Sequence, residues 1–199
     1  MDSEKYLEDI SQIKDMMKRS SRFISLSGLS GIMAGIYAIT GATIGYLFFL
    51  PKEDYVVLHS WNFRMTIVIL IGVAILSVVT AFLLTNNKAK KNNEKIWDET
   101  TKRLLFHFLV PLITGGIYIL IKLNSRHYGL TASLMLIFYG LALLNASKYT
   151  LGNVKYLGMG EIILGLICAA FPGYGFWFWI IGFGVFHIIY GSLLYAKEK

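Results

Sequence analysis

Five polar side chains occupy apolar stretches of this 199-residue chain. Glu161 interrupts LGMGEIILGLICAA, and His187 and Tyr190 lie within GFGVFHIIYG. His107 follows Arg103 by four residues, and Asn145 precedes Lys148 by three. Together they supply a carboxyl, two imidazoles, an amide and a phenol. Such groups pass protons, bind cations or lock helices to one another, and imidazole titrates near neutral pH. A metal site is the weakest of these readings, because ligands cluster more tightly than residues spread over several helices. The single cysteine, Cys168, excludes an intramolecular disulfide and any cysteine-rich metal centre. No cofactor is expected.

Helical spacing gives these groups a direction. The neighbours of Glu161 at i−3, i+4 and i+7 are Gly158, Gly165 and Cys168, all small. Tight helix contacts in lipid use small residues, so Glu161 is expected to face protein. Counted from the end of the apolar run, it lies about five residues, or roughly 7–8 Å of helical rise, inside. His187 is flanked on its face by Gly184, Tyr190 and Gly191; His107 is followed on its own by Pro111, Thr114 and Tyr118. Pro111 should bend its helix, because proline removes a backbone hydrogen bond.

The elements that must carry these residues are long and apolar. The composition is 55% hydrophobic and 16% charged, against about a quarter charged in soluble domains. Six runs approach or exceed the ~20 residues that a helix needs to cross a bilayer. They cover about 23–50, 65–85, 104–121, 129–147, 156–172 and 175–196. The expected fold is all-α: a polytopic membrane protein with six transmembrane helices in three antiparallel hairpins. Its second region, residues 1–22, is read as a cytoplasmic amphipathic helix preceding the bundle at 23–199.

The net charge of +7 does not signal nucleic acid. With the N-terminus inside, fifteen of the nineteen Lys and Arg fall in cytoplasmic segments, and only Lys52, Arg64, Lys122 and Arg126 fall outside. That bias predicts both termini in the cytoplasm. The polar first 22 residues predict an uncleaved first span rather than a signal peptide.

Residues 3–19 place Tyr6, Ile10, Ile13 and Met17 on one helical face. Acids lead this segment and bases close it, as the helix dipole prefers. Its acidic balance argues against adsorption to anionic lipid. The apolar face is expected to pack beneath the bundle, against a protein partner, or against a second copy. The segment 86–103 reads as a basic loop turning helical near Asn93. There Asp98–Lys102 and Glu99–Arg103 are acid-then-base pairs at i, i+4.

In span one, Ser27, Gly31, Ala34, Gly35, Ala38, Ala42 and Gly45 form a small-residue stripe. Gly31, Gly35, Ala38 and Gly45 there, and Gly165 in span five, are assigned to helix packing. Pro172-Gly173-Tyr174-Gly175 reads as a turn, and Phe176 to Trp179 as an interfacial aromatic belt. Short motifs recur faintly: Gly35-Ile36-Tyr37 with Gly116-Ile117-Tyr118, and Tyr139-Gly140 with Tyr190-Gly191. There is no nucleophile elbow, HExxH or phosphate-loop sequence, so no enzyme is expected.

The stretches SSRFISLSGLSGIMAGIYA (20–38) and GMGEIILGLICAAFPGYGFWFWIIGFGVFHIIYG (158–191) resemble small six-helix bacterial inner-membrane proteins to which no activity is assigned. The Gly-rich hairpins and the GL..A.FPG pattern at 165–173 are similar, more distantly, to HdeD-type acid-resistance membrane proteins. The resemblance implies a bacterial cytoplasmic membrane and supplies no catalytic residues. Two functions follow as expectations. One is a non-enzymatic membrane protein acting through helix packing and a partner or self-association. The other is a proton-linked small-solute transporter or channel using Glu161, His187 and His107.

Overall fold

The computed structural model describes residues 27–49, 60–91, 97–125, 127–150 and 154–198, together with Tyr6, Asp9, Ile10 and Ile13. Six helical segments account for nearly all of it. They are α1 (Gly28–Phe48), α2 (Trp61–Lys91), α3 (Glu99–Asn124), α4 (Thr131–Ala146), α5 (Val154–Ala170) and α6 (175–198). Within α6, the stretch Ile180–Phe186 is a π-helix between the α-helical Gly175–Trp179 and His187–Glu198. All but α5 are long and apolar enough to cross a bilayer, α4 together with the 3₁₀ turn Ser147–Tyr149 that continues it; α5 has 17 residues. These are the helices of a multi-pass membrane protein.

The helix ends follow local chemistry. Ser60 starts α2 by accepting from the Phe63 amide at 3.1 Å, so Trp61 to Arg64 are helical rather than loop. No glycine or proline interrupts 86–91, and α2 continues through Lys91 where a loop is expected. Asp98 caps α3, its carboxylate accepting from the Thr101 amide at 2.7 Å. Asp98 therefore lies outside the helix, and Lys102 pairs with Glu99 instead, at 3.1 Å. Pro111 lies inside α3. Gly173, at φ +93°, makes the turn before α6, a conformation that a side chain would resist.

The packing goes beyond three sequential hairpins. α1 rests on α2, and α3 on α4, but α1 also rests on α6 and α4 on α5. α6 thus runs between the first helix on one side and α4 and α5 on the other. Glycine makes both seams close. A methyl group on Gly35 would come within 2.6 Å of the Gly184 carbonyl oxygen, and one on Gly191 within 2.5 Å of the Ile32 amide nitrogen. Between α4 and α5, a methyl on Gly140 would come within 2.6 Å of the Gly158 carbonyl oxygen. Ser133 Oγ donates to the Gly165 carbonyl at 2.8 Å across that seam.

α2 and α3 lie at the periphery, with few buried residues: Thr85 and Ala89 in α2, Thr101 and Gly115 in α3. Of the small residues assigned to packing, Gly31, Gly35 and Gly165 lie against neighbouring helices and Ala38 is buried. Gly45 differs: a methyl placed there would meet nothing within 4 Å. It is buried, yet no helix backbone approaches it.

The aromatic run divides by helical direction. Phe176 stacks on Tyr46 of α1 with centroids 4.8 Å apart, and Trp177 is exposed. Phe178 packs on Leu136, Leu164 and Cys168, and Trp179 lies 5.0 Å from the Phe183 ring. Half of the expected belt is core, since four consecutive helical residues point all round the axis. Most of the helix expected over 3–19 lies outside the described residues. Its described members Tyr6, Ile10 and Ile13 are helical and exposed.

A buried Glu–His–Tyr cluster as candidate functional site

Three helices each contribute one polar group from near their middle. Glu161 is seven residues past the start of α5 and nine before its end. Tyr139 is central in α4, and His187 lies eleven residues before the end of α6. Glu161 is therefore further into its helix than the apolar run alone indicates, about 10 Å of rise from Val154. The helix begins two residues before the point from which that run was counted.

Glu161 is 0% exposed and His187 7%. The imidazole is held at both nitrogens. Nδ1 is 3.0 Å from the Gly182 carbonyl oxygen, and Nε2 is 2.7 Å from the Tyr139 hydroxyl. A carbonyl oxygen can only accept, so Nδ1 carries a hydrogen. In the neutral ring Nε2 then accepts from the Tyr139 hydroxyl. Glu161 Oε1 lies 3.6 Å from Nδ1, too far for a hydrogen bond but close enough for opposite charges to attract. Among the described residues, neither Glu161 oxygen has a hydrogen-bond partner; nor has the buried Trp179 Nε1. Buried polar groups are ordinarily satisfied, and an isolated carboxyl in apolar surroundings is costly.

The π-helical segment and its glycines build this geometry. The wider turn presents the Gly182 carbonyl to the His187 ring five residues on. A Cβ on Gly182 would come within 2.5 Å of Glu161 Oε2 and would also strike Leu136. Only glycine leaves space for the carboxylate against α6. π-Segments inside α-helices recur at functional sites. Aromatic rings line the remainder. Tyr139 lies 5.1 Å from Phe183 and 5.4 Å from His187, and Phe108 of α3 meets Tyr139 edge-on at 6.2 Å.

The other sequence candidates stand elsewhere. Tyr190 packs with Leu143, Val154 and Leu157, one turn below His187. His107 is half-buried and stacks on Tyr149 at 5.0 Å, in the 3₁₀ turn that follows α4. Asn145 is half-buried in the last turn of α4. No described hydrogen bond or ion pair joins His107 or Asn145 to Glu161. Sequence reasoning missed Tyr139 and Gly182. The signal for Tyr139 was its place beside Gly140, the residue that seats α4 on α5. No group of three His, Cys, Asp or Glu residues that could hold a metal occurs among the described residues.

Comparison with protein-family models, curated proteins and solved structures finds no match for this chain.

Proposed function

We propose that this chain is a six-span carrier or channel of a bacterial cytoplasmic membrane, both termini inside, that moves protons with a small solute through His187 and Glu161. One observation carries the reading: a fully buried carboxyl in mid-helix has no hydrogen-bond partner among the described residues, yet faces an imidazole held at both nitrogens. Packing alone gives no reason to retain such a group, since an apolar side chain there costs less. Intramembrane ionisable groups mark ion and proton pathways.

The roles follow from the donor pattern. His187 Nε2 takes up the proton, and the Tyr139 hydroxyl turns from donor to acceptor. The ring, now protonated at both nitrogens, faces the Glu161 carboxylate across 3.6 Å. Releasing the proton restores the starting hydrogen bonds. Tyr139 orients the ring, and the Gly182 carbonyl fixes its tautomer. His107, stacked on Tyr149, is a separate group in this scheme.

Proton flux into proteoliposomes tests this, read with an entrapped pH-sensitive dye under an imposed gradient and a panel of small solutes. The parent protein should dissipate the gradient with at least one solute, and Glu161→Gln and His187→Gln should not. Flux unchanged in Glu161→Gln contradicts the role of the carboxyl.

A second reading rests on Tyr6, Ile10 and Ile13, spaced i, i+4, i+7 and 65%, 59% and 53% exposed. That apolar stripe supports a protein partner or self-association through residues 3–19. Crosslinking from a cysteine at Ile10 should capture that neighbour, and silence there removes the reading.

A further inference from the structure

The groups around Glu161 also select what can replace a proton there. Helices α4 and α6 contribute no Lys or Arg near Glu161. Within the described parts of α4, α5 and α6 the basic residues are Lys155 and Lys197, both exposed toward helix ends. The titratable groups in the surrounding core are Tyr139 of α4, Cys168 of α5, and His187 and Tyr190 of α6. While His187 is neutral, the Glu161 carboxylate has no cationic partner among the described residues, so it repels anions and accepts cations.

The walls decide which kind of cation. A hard metal ion takes six or more oxygens, whereas the polar group shown beside the two Glu161 oxygens is the His187 imidazole, whose Nδ1 already engages the Gly182 carbonyl. The core around this cluster is largely aromatic and aliphatic carbon. Phe183 and Phe186 pack with Leu136 and Leu164; Tyr139, Trp179 and His187 all contact the Phe183 ring, with centroids 5.0–6.1 Å apart. Aromatic faces attract organic ammonium groups, whose charge is spread over carbon and weakly hydrated. On the α6 side the carboxylate is closed off by the Gly182 backbone alone, with no side chain between them.

From this carboxylate among aromatic rings we propose that the solute exchanged at Glu161 is an organic cation, a small amine or quaternary ammonium, held by Glu161 with Phe183 and Tyr139 as its aromatic wall. This rests on the proton-handling reading above and names its solute class. The π-helical turn is the part of α6 that must yield to admit such a group.

The test uses the parent protein in detergent micelles, labelled at Glu161 by dicyclohexylcarbodiimide and read by mass spectrometry. Tetraethylammonium chloride should slow labelling of Glu161 about tenfold or more, while sodium chloride at equal ionic strength leaves it unchanged. Phe183→Ala should weaken tetraethylammonium protection about three- to tenfold, with the melting temperature recording that the variant is folded. Equal protection by sodium overturns the organic-cation assignment, and so does no protection by either salt. The proteoliposome experiment separates the two layers. Proton flux without tetraethylammonium protection removes the solute class and leaves the proton role. Loss of both removes the proton role as well.

Discussion

Along one face of α6, Gly184, Ile188, Gly191 and Tyr195 meet α1 through glycine backbone and aliphatic carbon. Along the other, Gly182, Phe183, Phe186 and His187 meet α4 and α5 around a buried carboxyl. The first face has the 4-3-4 spacing of a helix seam, and α1 holds no Asp, Glu, His, Lys or Arg. The π-segment includes Gly184 of the first face and Gly182, Phe183 and Phe186 of the second, and it is the second that leaves buried polar atoms unsatisfied among the described residues. One helix thus separates a seam that holds the fold from a seam that tolerates a cost to keep a reactive group. Lipid supplies no hydrophobic drive between helices, so the first seam must rely on close contact. The second can lose its polar groups without losing that contact.

The sharpest break of this division is a bulky residue in the α1 seam. Gly191→Leu should cost about 3 kcal/mol or more, because its Cβ meets the Ile32 amide and Gly28 carbonyl, both backbone, which cannot step aside. Thermal melts in detergent should show it, with little folded protein recovered. A variant that melts like the parent would show that α1 does not sit against α6.

A smaller effect belongs to the polar seam. Tyr139→Phe removes the hydroxyl from His187 Nε2 and should cost about 1 kcal/mol. Proton flux should fall several-fold without vanishing, since the ring keeps its bond to Gly182. Complete loss of flux would make Tyr139 a proton carrier rather than an orienting group.

The smallest change calibrates the others. Gly45→Ala adds a methyl where nothing lies within 4 Å, so melting and flux should match the parent within about 0.5 kcal/mol. A large loss would mean that a helix approaches Gly45 closely.

Much of this division was legible in the residues. The small neighbours of Glu161 at i−3, i+4 and i+7 place it toward protein, and small residues at 31, 35 and 38 mark a seam. What sequence periodicity does not carry is the partner of each seam. Adjacent spans are the natural neighbours when loops are short, yet α1 also takes α6, an arrangement that depends on the whole bundle. His107 shows the same limit: distance from a helix end gives its depth, but the ring direction depends on Tyr149 in another element. The π-segment has no periodic signature beyond glycines at 182 and 184, so Gly182 as hydrogen-bond acceptor became visible only in three dimensions. Tyr139 reads in sequence as one more packing aromatic, because its partner lies 48 residues away.

The central claim is that Glu161 is retained for proton handling and not for the fold. Glu161→Met tests it most directly, with melting and proton flux measured on one preparation. Methionine fills the site and orphans no neighbour, since His187 keeps Tyr139 and Gly182. The account predicts a protein that melts at or above the parent, by up to about 1 kcal/mol, and carries no protons. A variant that melts several degrees lower, or that still carries protons at the parent rate, contradicts it.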